Sequence, residues 1–491
     1  MYPEFQIRQS VIVPLQLTER FISCSMIIII MVQQFINRLD EIKSLRDELS
    51  EKRASMGIIY GRRRIGKTEL SLRLLKNANG FYYLAENRDY QHNLRQFQKV
   101  AGEYLKDPMF EKIDFTSWVD MAEELGRRLA TERTKTVIII DELPYMVEHG
   151  VLEELQKAWD LHLSKSKVFL LLVGSSMSMM ERLTLDYKAP LYGRRTMQLK
   201  VEKLPVWHSA KFHPRFSLQQ AIEAFSILDG VPLYLQQFDD RLDLLRNLEF
   251  NYLRKDRILY EEAEILLRLE LREFRRYFQV LHSIASGNRG FGDISSSTKL
   301  DTATLSKYLS NLKELGFIKD DLPFGAERAR LKRYRLCDNY FSFWFRFVFP
   351  NKRLIEMGRL DELLVTIKRD LPAHVSFIFE DIIRDVLVRY FGYHDAKAWW
   401  NRIGEEIDIV ALDTIHRTVL FGEVKWGEAN PKDYHLLREK SSLVTIPEGY
   451  NKKYLIVGRQ IKKKDELEDE KVMMIDLKNL DDLFKKKVHL G

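Results

Sequence analysis

Phosphate chemistry is the first thing these residues offer. Gly61-Arg62-Arg63-Arg64-Ile65-Gly66-Lys67-Thr68 fits the pattern G-x-x-x-x-G-K-[ST]. In such a loop the glycines let backbone N–H groups wrap a polyphosphate, and a following helix N-terminus adds favourable potential. Lys67 is placed to reach the β- and γ-phosphates of ATP, and the Thr68 hydroxyl to ligate Mg2+. All eight residues, together with Ser175, form the expected ATP-binding set. Val137-Ile138-Ile139-Ile140-Asp141-Glu142 adds an apolar strand ending in two acids. Asp141 would hold Mg2+ through water, and Glu142 would polarise the attacking water. The plain alternative is a strand end with surface acids.

Two further groups are less specific. Val173-Gly174-Ser175-Ser176 ends another apolar run, where Ser175 or Ser176 could orient water near the γ-phosphate, or simply form a turn. Arg194 or Arg195, in Gly193-Arg194-Arg195, could stabilise transferred charge, in cis or on a neighbouring subunit of a homo-oligomer. Either arginine could equally be a surface ion-pair residue.

A second constellation lies near the C-terminus. Asp408 is the acid within Ile407-Asp408-Ile409-Val410, and Glu423 and Lys425 lie in Phe421-Gly422-Glu423-Val424-Lys425-Trp426. Residues two apart on a strand share a face, and a hairpin would bring Asp408 beside that pair. Glu380 sits upstream on an expected helix, Ser376 to Tyr390.

The elements that must position these groups follow from periodicity. Strands are expected at Gly57–Tyr60, Phe81–Leu84, Val137–Ile140, Val168–Val173 and Thr196–Leu199. Helices are expected between them, beginning with Val32–Leu49 and Lys67–Lys76. Continuous apolar strands alternating with helices argue for a parallel sheet covered on both faces. Residues 217–285 read as helical. Asp293 to Leu300 and Ala303 to Leu315 then read as two helices, with Asp301-Thr302 as turn and N-cap. Leu305, Leu309, Leu312 and Leu315 point inward, and Lys307, Ser310 and Lys313 outward. Phe317-Ile318 and Tyr334–Leu336 would pair as a wing, with Arg328, Arg330, Lys332 and Arg333 at its tip. This suits DNA, with the second helix in the major groove and the wing on phosphates, although such modules also serve as lids or dimerisation units. The run Phe341 to Phe349 has period two, which suggests a strand, while Asp338 as an N-cap suggests a helix.

The segments Phe35–Arg38, Ile58–Thr68, Asp141-Glu142, Gly174–Ser176, Pro190–Arg195 and Gly230–Tyr234 resemble the AAA+ ATPases found predominantly in archaea. The resemblance covers residues 32 to about 235. The region 376–430 resembles the PD-(D/E)xK nuclease fold, and more narrowly the uncharacterised domain that follows the ATPase in that archaeal family. That resemblance implies that Asp408 and Glu423 bind Mg2+, that Lys425 orients or deprotonates water, and that Glu380 assists. The chemistry is coherent, since two carboxylates hold a hard cation that activates water. A degenerate fold retained for DNA grip or scaffolding is the alternative.

The expected fold class is α/β. An AAA+ P-loop parallel sheet (31–205) with a helical lid (206–285) precedes a winged helix-turn-helix (286–345). A helical connector (346–375) then leads to a mixed α/β nuclease-like domain (376–491). Residues 1–30 read as an extension ahead of Met31, where members of the resembled family usually begin. The expected function is Mg-dependent ATP hydrolysis coupled to DNA binding and metal-dependent DNA cleavage. The rivals are a non-cleaving DNA-binding switch and a signalling or defence scaffold.

Composition bounds this reading. At 491 residues the chain is too long for one core. A net charge of +7 permits a polyanion partner without requiring one. Two cysteines, Cys24 and Cys337, build neither a disulfide framework nor a zinc site. No apolar run approaches the roughly 18 residues of a membrane span, and a reducing, cytoplasmic setting is expected.

Overall fold

The computed structural model describes residues 35–147, 150–271, 274–325, 331–467 and 471–488. The expected extension, residues 1–30, lies outside the described residues, as do Arg328 and Arg330 of the wing tip.

Five parallel strands form the first sheet: β1 (Ser55–Tyr60), β2 (Gly80–Leu84), β3 (Thr136–Asp141), β4 (Val168–Gly174) and β5 (Met197–Lys200). Their order is β5-β1-β4-β3-β2. Every residue of β1, β3 and β4 is buried, as continuous β-branched and aliphatic runs require when helices cover both faces. One face packs on Phe97, Trp118, Leu125 and Leu155, the other on Leu45, Leu70 and Leu74. Among the described residues the first helix begins at Leu39, so Phe35 to Arg38 fall outside the helix expected over Val32–Leu49. Asn37 and Arg38 are left-handed (φ 65° and 72°), and the Arg38 guanidinium turns to the carbonyls of Ile65 and Glu202. That contact breaks the helical register ahead of Leu39.

The helices Leu218–Leu228, Ile258–Glu270 and Phe274–Ala285 lie in the region expected to be a helical lid. Ser217 and Gln220 form a capping box at the first of them. Phe291–Thr298 and Thr302–Glu314 then make the helix-turn-helix. Asp301 accepts from Thr304 N at 3.0 Å, as an N-cap should. Leu305, Leu309 and Leu312 are buried; Lys307 and Ser310 face solvent. β6 (Ile318–Asp321) and β7 (Arg333–Leu336) pair antiparallel as the wing. The aromatic run is helical: Asn339–Phe343 continues into a wider π turn, Trp344–Val348. Asp338 caps it, and Phe341, Phe343, Trp344, Phe345 and Phe347 are all buried. The period-two spacing of the phenylalanines misled because the intervening Trp344 and Val348 are buried as well, so the alternation does not separate a core face from a solvent face.

Helix Leu360–Tyr390 spans 31 residues and passes position 376 without a break. His374, within it, donates from Nε2 to the Ser226 carbonyl of the lid at 2.9 Å. The last sheet is mixed. β8 (Asp395–Trp400), β9 (Glu406–Asp413) and β10 (Thr418–Ala429) run antiparallel; β11 (Asn451–Ile461) pairs parallel onto β10, and β12 (Val472–Ile475) parallel onto β11. A single apolar cluster runs from Leu204 in the lid through Leu309 and Phe341 to Ile409 and Phe484. The segments after the ATPase sheet therefore share one core.

Candidate nucleotide site and carboxylate cluster

The loop Gly61–Gly66 joins β1 to helix Lys67–Leu75. Gly61 (φ 150°) passes so close to β5's exit that an added Cβ would lie 2.4 Å from the Val201 carbonyl oxygen. Gly66 is left-handed at φ 90°, and so is Arg64 at φ 71°. A non-glycine residue held there is strained, a condition concentrated at ligand sites. Lys67 is 5% exposed, and its ammonium donates to the Arg62 carbonyl at 2.9 Å. Burial pulls its pKa down to about 8, against the opposing charges of Glu142 and Asp141. A buried cation bound only by a backbone carbonyl fits a polyphosphate ligand.

The acids meet the loop as β3 and β1 flank β4. Asp141 is buried, and its Oδ2 accepts from Thr68 Oγ1 at 2.6 Å and from Tyr82 Oη at 2.9 Å. Thr68 and Asp141 are thus the hard-oxygen pair that would hold Mg2+. Glu142 is left-handed at φ 53°, and its Oε1 accepts from Ser175 Oγ at 2.6 Å. Ser175 therefore orients the acid itself, where the sequence pointed to water. Tyr82 was not foreseen; the only cue was a hydroxyl within an apolar strand.

The loop's three arginines diverge. Arg62 ion-pairs with buried Asp338 and lies 5.7 Å and 5.2 Å from the ring centres of Tyr234 and Phe341. Arg64 Nε donates to Glu262 Oε1 at 3.0 Å, where the Glu262 carboxylate is buried and also accepts from Tyr234 Oη. Arg63 turns toward Tyr145, in the short turn after Glu142. For Arg62 and Arg64, only the main chain remains to meet a nucleotide. Arg194 forms two bonds to Asp160, at 2.8 and 2.7 Å, and a third to the Pro190 carbonyl. Arg195 lies over the Tyr192 ring.

In the last sheet, β9 and β10 form the expected hairpin, with Ile409 opposite Gly422. Asp408 Oδ2 accepts from Val424 N at 2.8 Å, which sets it beside Glu423. Burial raises the carboxyls of Glu380 and Glu423 above their usual range, and the Asp408 charge raises both further. Asp408 is itself raised, chiefly by burial. Other contacts compete, however. Lys425 pairs with Asp433, and Glu380 with Arg384 at 2.8 Å. Among the described residues, no group of three or more His, Cys, Asp or Glu side chains is arranged to hold a metal ion. The expected metal set is close and electrostatically coupled, but does not fit a metal centre as it stands.

The wing departs from its expected role. Arg333 pairs with Glu406 at 2.9 Å and stacks on Trp400, and Trp400 Nε1 donates to the Leu331 carbonyl. Lys332 lies 3.5 Å from Asp320. The described part of the wing is docked on the last sheet, so Arg333 is not free for phosphates. The exposed helix face of Lys307 and Ser310 stays open. No helix among the described residues is long and apolar enough to cross a membrane.

A sheet of this order, with a phosphate loop after its first strand and an acid pair ending its third, is that of a P-loop ATPase domain. Residues 35–238 match the family model of an "ATPase domain predominantly from Archaea". Residues 278–320 match "Bacterial regulatory protein, arsR family", a helix-turn-helix model, and residues 344–437 match "Archaea bacterial proteins of unknown function". The uncharacterized protein MJECL04 of Methanocaldococcus jannaschii is 34% identical over 445 residues, 88% of this chain and 97% of that protein. This chain belongs to the same family of archaeal ATPase-domain proteins. Among solved structures, the Walker-type ATPase paby2304 of Pyrococcus abyssi aligns with TM-score 0.45 and 21% identity, covering 63% of this chain and 96% of that one. The ORC2 protein of Aeropyrum pernix aligns with TM-score 0.45 and 14% identity, covering 69% and 98%.

Proposed function

We propose that this protein is an ATP-hydrolysing switch whose nucleotide state sets the engagement of DNA by its winged helix. The observation that carries this reading is Arg62. Its main-chain carbonyl accepts from Lys67, and its side chain pairs with Asp338, the cap of the helix that directly follows wing strand β7. When ATP enters, Lys67 leaves that carbonyl for the β- and γ-phosphates, and the loop that carries Arg62 readjusts. Glu142, fixed by Ser175, accepts a proton from the attacking water. Thr68 and Asp141 would hold Mg2+, which offsets charge on the phosphate oxygens. Lys307 and Ser310 face the DNA, their helix lying in the major groove.

The test has two arms. Lys67→Ala should abolish ATP hydrolysis, and undiminished hydrolysis would sink the central claim. Duplex DNA should bind with an affinity that falls steeply with salt and shifts between ATP and ADP. Salt-independent or absent binding would favour the signalling or defence scaffold.

A second reading adds metal-dependent DNA cleavage by Asp408, Glu423, Lys425 and Glu380. It is favoured by the burial that raises all three carboxyls and by the Asp408 charge that raises Glu380 and Glu423 further, which a divalent cation would relieve. Cleavage of several DNA forms with Mg2+ or Mn2+, lost in Asp408→Ala, is its test. No cleavage under any of these conditions leaves the non-cleaving switch.

A further inference from the structure

Phosphoryl transfer requires positive charge around the γ-phosphate beyond that of the loop lysine, and an arginine is the usual source. The arginines near this site can be sorted by what already holds them. Arg62 is ion-paired with Asp338, although its Nη1 and Nη2 are also buried without a hydrogen-bond partner; Arg64 is held by Glu262 and Arg194 by Asp160, and Arg195 lies over the Tyr192 ring. Arg63 differs. It has no carboxylate ion pair among the described residues; its Nη2 makes a long bond to Tyr145 Oη at 3.5 Å, and its Nε is buried without a hydrogen-bond partner. An unsatisfied buried donor of this kind costs about 1–3 kcal/mol and calls for an explanation.

Its surroundings give one. Tyr145 lies three residues after Glu142, and the Glu142 carbonyl accepts from Tyr145 N at 2.9 Å. Arg63 therefore lies on the same side of the loop as the acid that would polarise water. Burial opposes its charge, but Tyr145, Glu142 and Glu270 more than offset that, so it remains a firm cation. Its charge also reaches Lys67, which it helps to depress. An anion placed among Lys67, Arg63 and Glu142 would relieve the repulsion between the two cations.

We propose that Arg63 is a catalytic residue that stabilises the transferring γ-phosphoryl group of ATP in cis, from within the phosphate loop. This rests on the ATPase reading above. In the step, the water oxygen bonds to the γ-phosphorus while the bond from that phosphorus to the β,γ-bridging oxygen breaks. The electron pair leaves on ADP, and the water proton passes to Glu142. Arg63 stays protonated throughout, its free Nε and weakly held Nη2 donating to the γ-phosphoryl oxygens.

The full-length chain and its Arg63→Ala and Arg63→Lys variants test this. Arg63→Ala should lower kcat by about 100-fold or more, the scale of losing such a donor. Its affinity for ADP and for a non-hydrolysable ATP analogue should stay within about threefold, because the contact forms mainly in the transition state. Trapping of ADP with aluminium fluoride, a transition-state mimic, should be lost, and Arg63→Lys should restore part of kcat. Mixing Arg63→Ala with Lys67→Ala chains should not restore activity. An active wild type with undiminished kcat in Arg63→Ala overturns the proposal, as does equal loss of ground-state and transition-state binding. Restored activity in the mixture would show that the arginine acts in trans and would also overturn it. If the wild type itself does not hydrolyse ATP, the ATPase reading fails first.

Discussion

Arg62 and Asp338 form an ion pair across 276 positions of sequence, the loop residue being enclosed by the rings of Tyr234 and Phe341. One partner belongs to the phosphate loop and the other caps the helix after the wing. Asp338→Asn separates charge from capping, since asparagine caps as well as aspartate. The variant should lose about 1–3 kcal/mol of stability, less than a fully buried broken pair because Arg62 remains partly exposed. The ratio of DNA affinities in ATP and ADP should fall toward one, while each nucleotide still binds. Fluorescence anisotropy with labelled DNA reads both.

Lys67 predicts a pH signature. Burial lowers it to about 8 in the fold, against 10.5 when free. Between these values the unfolded chain holds a proton that the folded chain has released. Stability therefore rises with pH across this window, by about 3 kcal/mol in all, and is flat below it for this group. The difference in denaturation free energy between wild type and Lys67→Met, measured from pH 7.5 to 10.5, should show that slope. Saturating Mg-ATP should suppress it by keeping the lysine charged.

Tyr82 supports Asp141 through one hydrogen bond of 2.9 Å. Groups that orient a metal ligand typically contribute 10–100-fold in metal affinity. Tyr82→Phe should raise the Mg2+ concentration for half-maximal ATP hydrolysis about tenfold, with little change in kcat at saturating Mg2+. An unchanged Mg2+ dependence would remove Asp141 from the metal role.

The carboxylate cluster at the last sheet, with Glu380 from the long helix, predicts the opposite pH trend. Burial raises Glu380, Asp408 and Glu423 in the folded state, and the Asp408 charge raises Glu380 and Glu423 further. Their contribution to stability is therefore full below pH 4 and is lost as pH rises through the folded values. Asp408→Asn should raise Tm at pH 8 and have little effect at pH 4. Added Mg2+ should raise the wild-type Tm at pH 8 if these groups take up a cation, and a flat response counts against cleavage.

Much of the site could be read from local chemistry. The loop Gly61–Thr68 and the acids Asp141 and Glu142 announce themselves by spacing, and their strands by unbroken aliphatic runs. The hairpin joining Asp408 to Glu423 was legible for the same reason. What stayed hidden depends on partners distant in sequence. Nothing near Arg62 or Arg64 signals Asp338 or Glu262, and nothing near Arg333 signals Glu406. β8 escaped notice because Asp395–Trp400 lies at the sheet edge and lacks a full apolar run. The lid, wing and last sheet looked separable because their core is assembled from short apolar faces, each modest alone.

Helix Leu360–Tyr390 carries its own consequence. At 1.5 Å per residue it is a rod about 45 Å long. It is tethered to the lid at His374, while Glu380 and Arg384 lie farther along the same rod. A rod of this kind acts as a lever. A 10° tilt about the His374 tether would carry its far end, some 24 Å away, through about 4 Å. Glu380 lies about 9 Å along the rod from His374, where the same tilt gives about 1.6 Å, so the lid's posture would be geared to the spacing of Glu380 and Asp408.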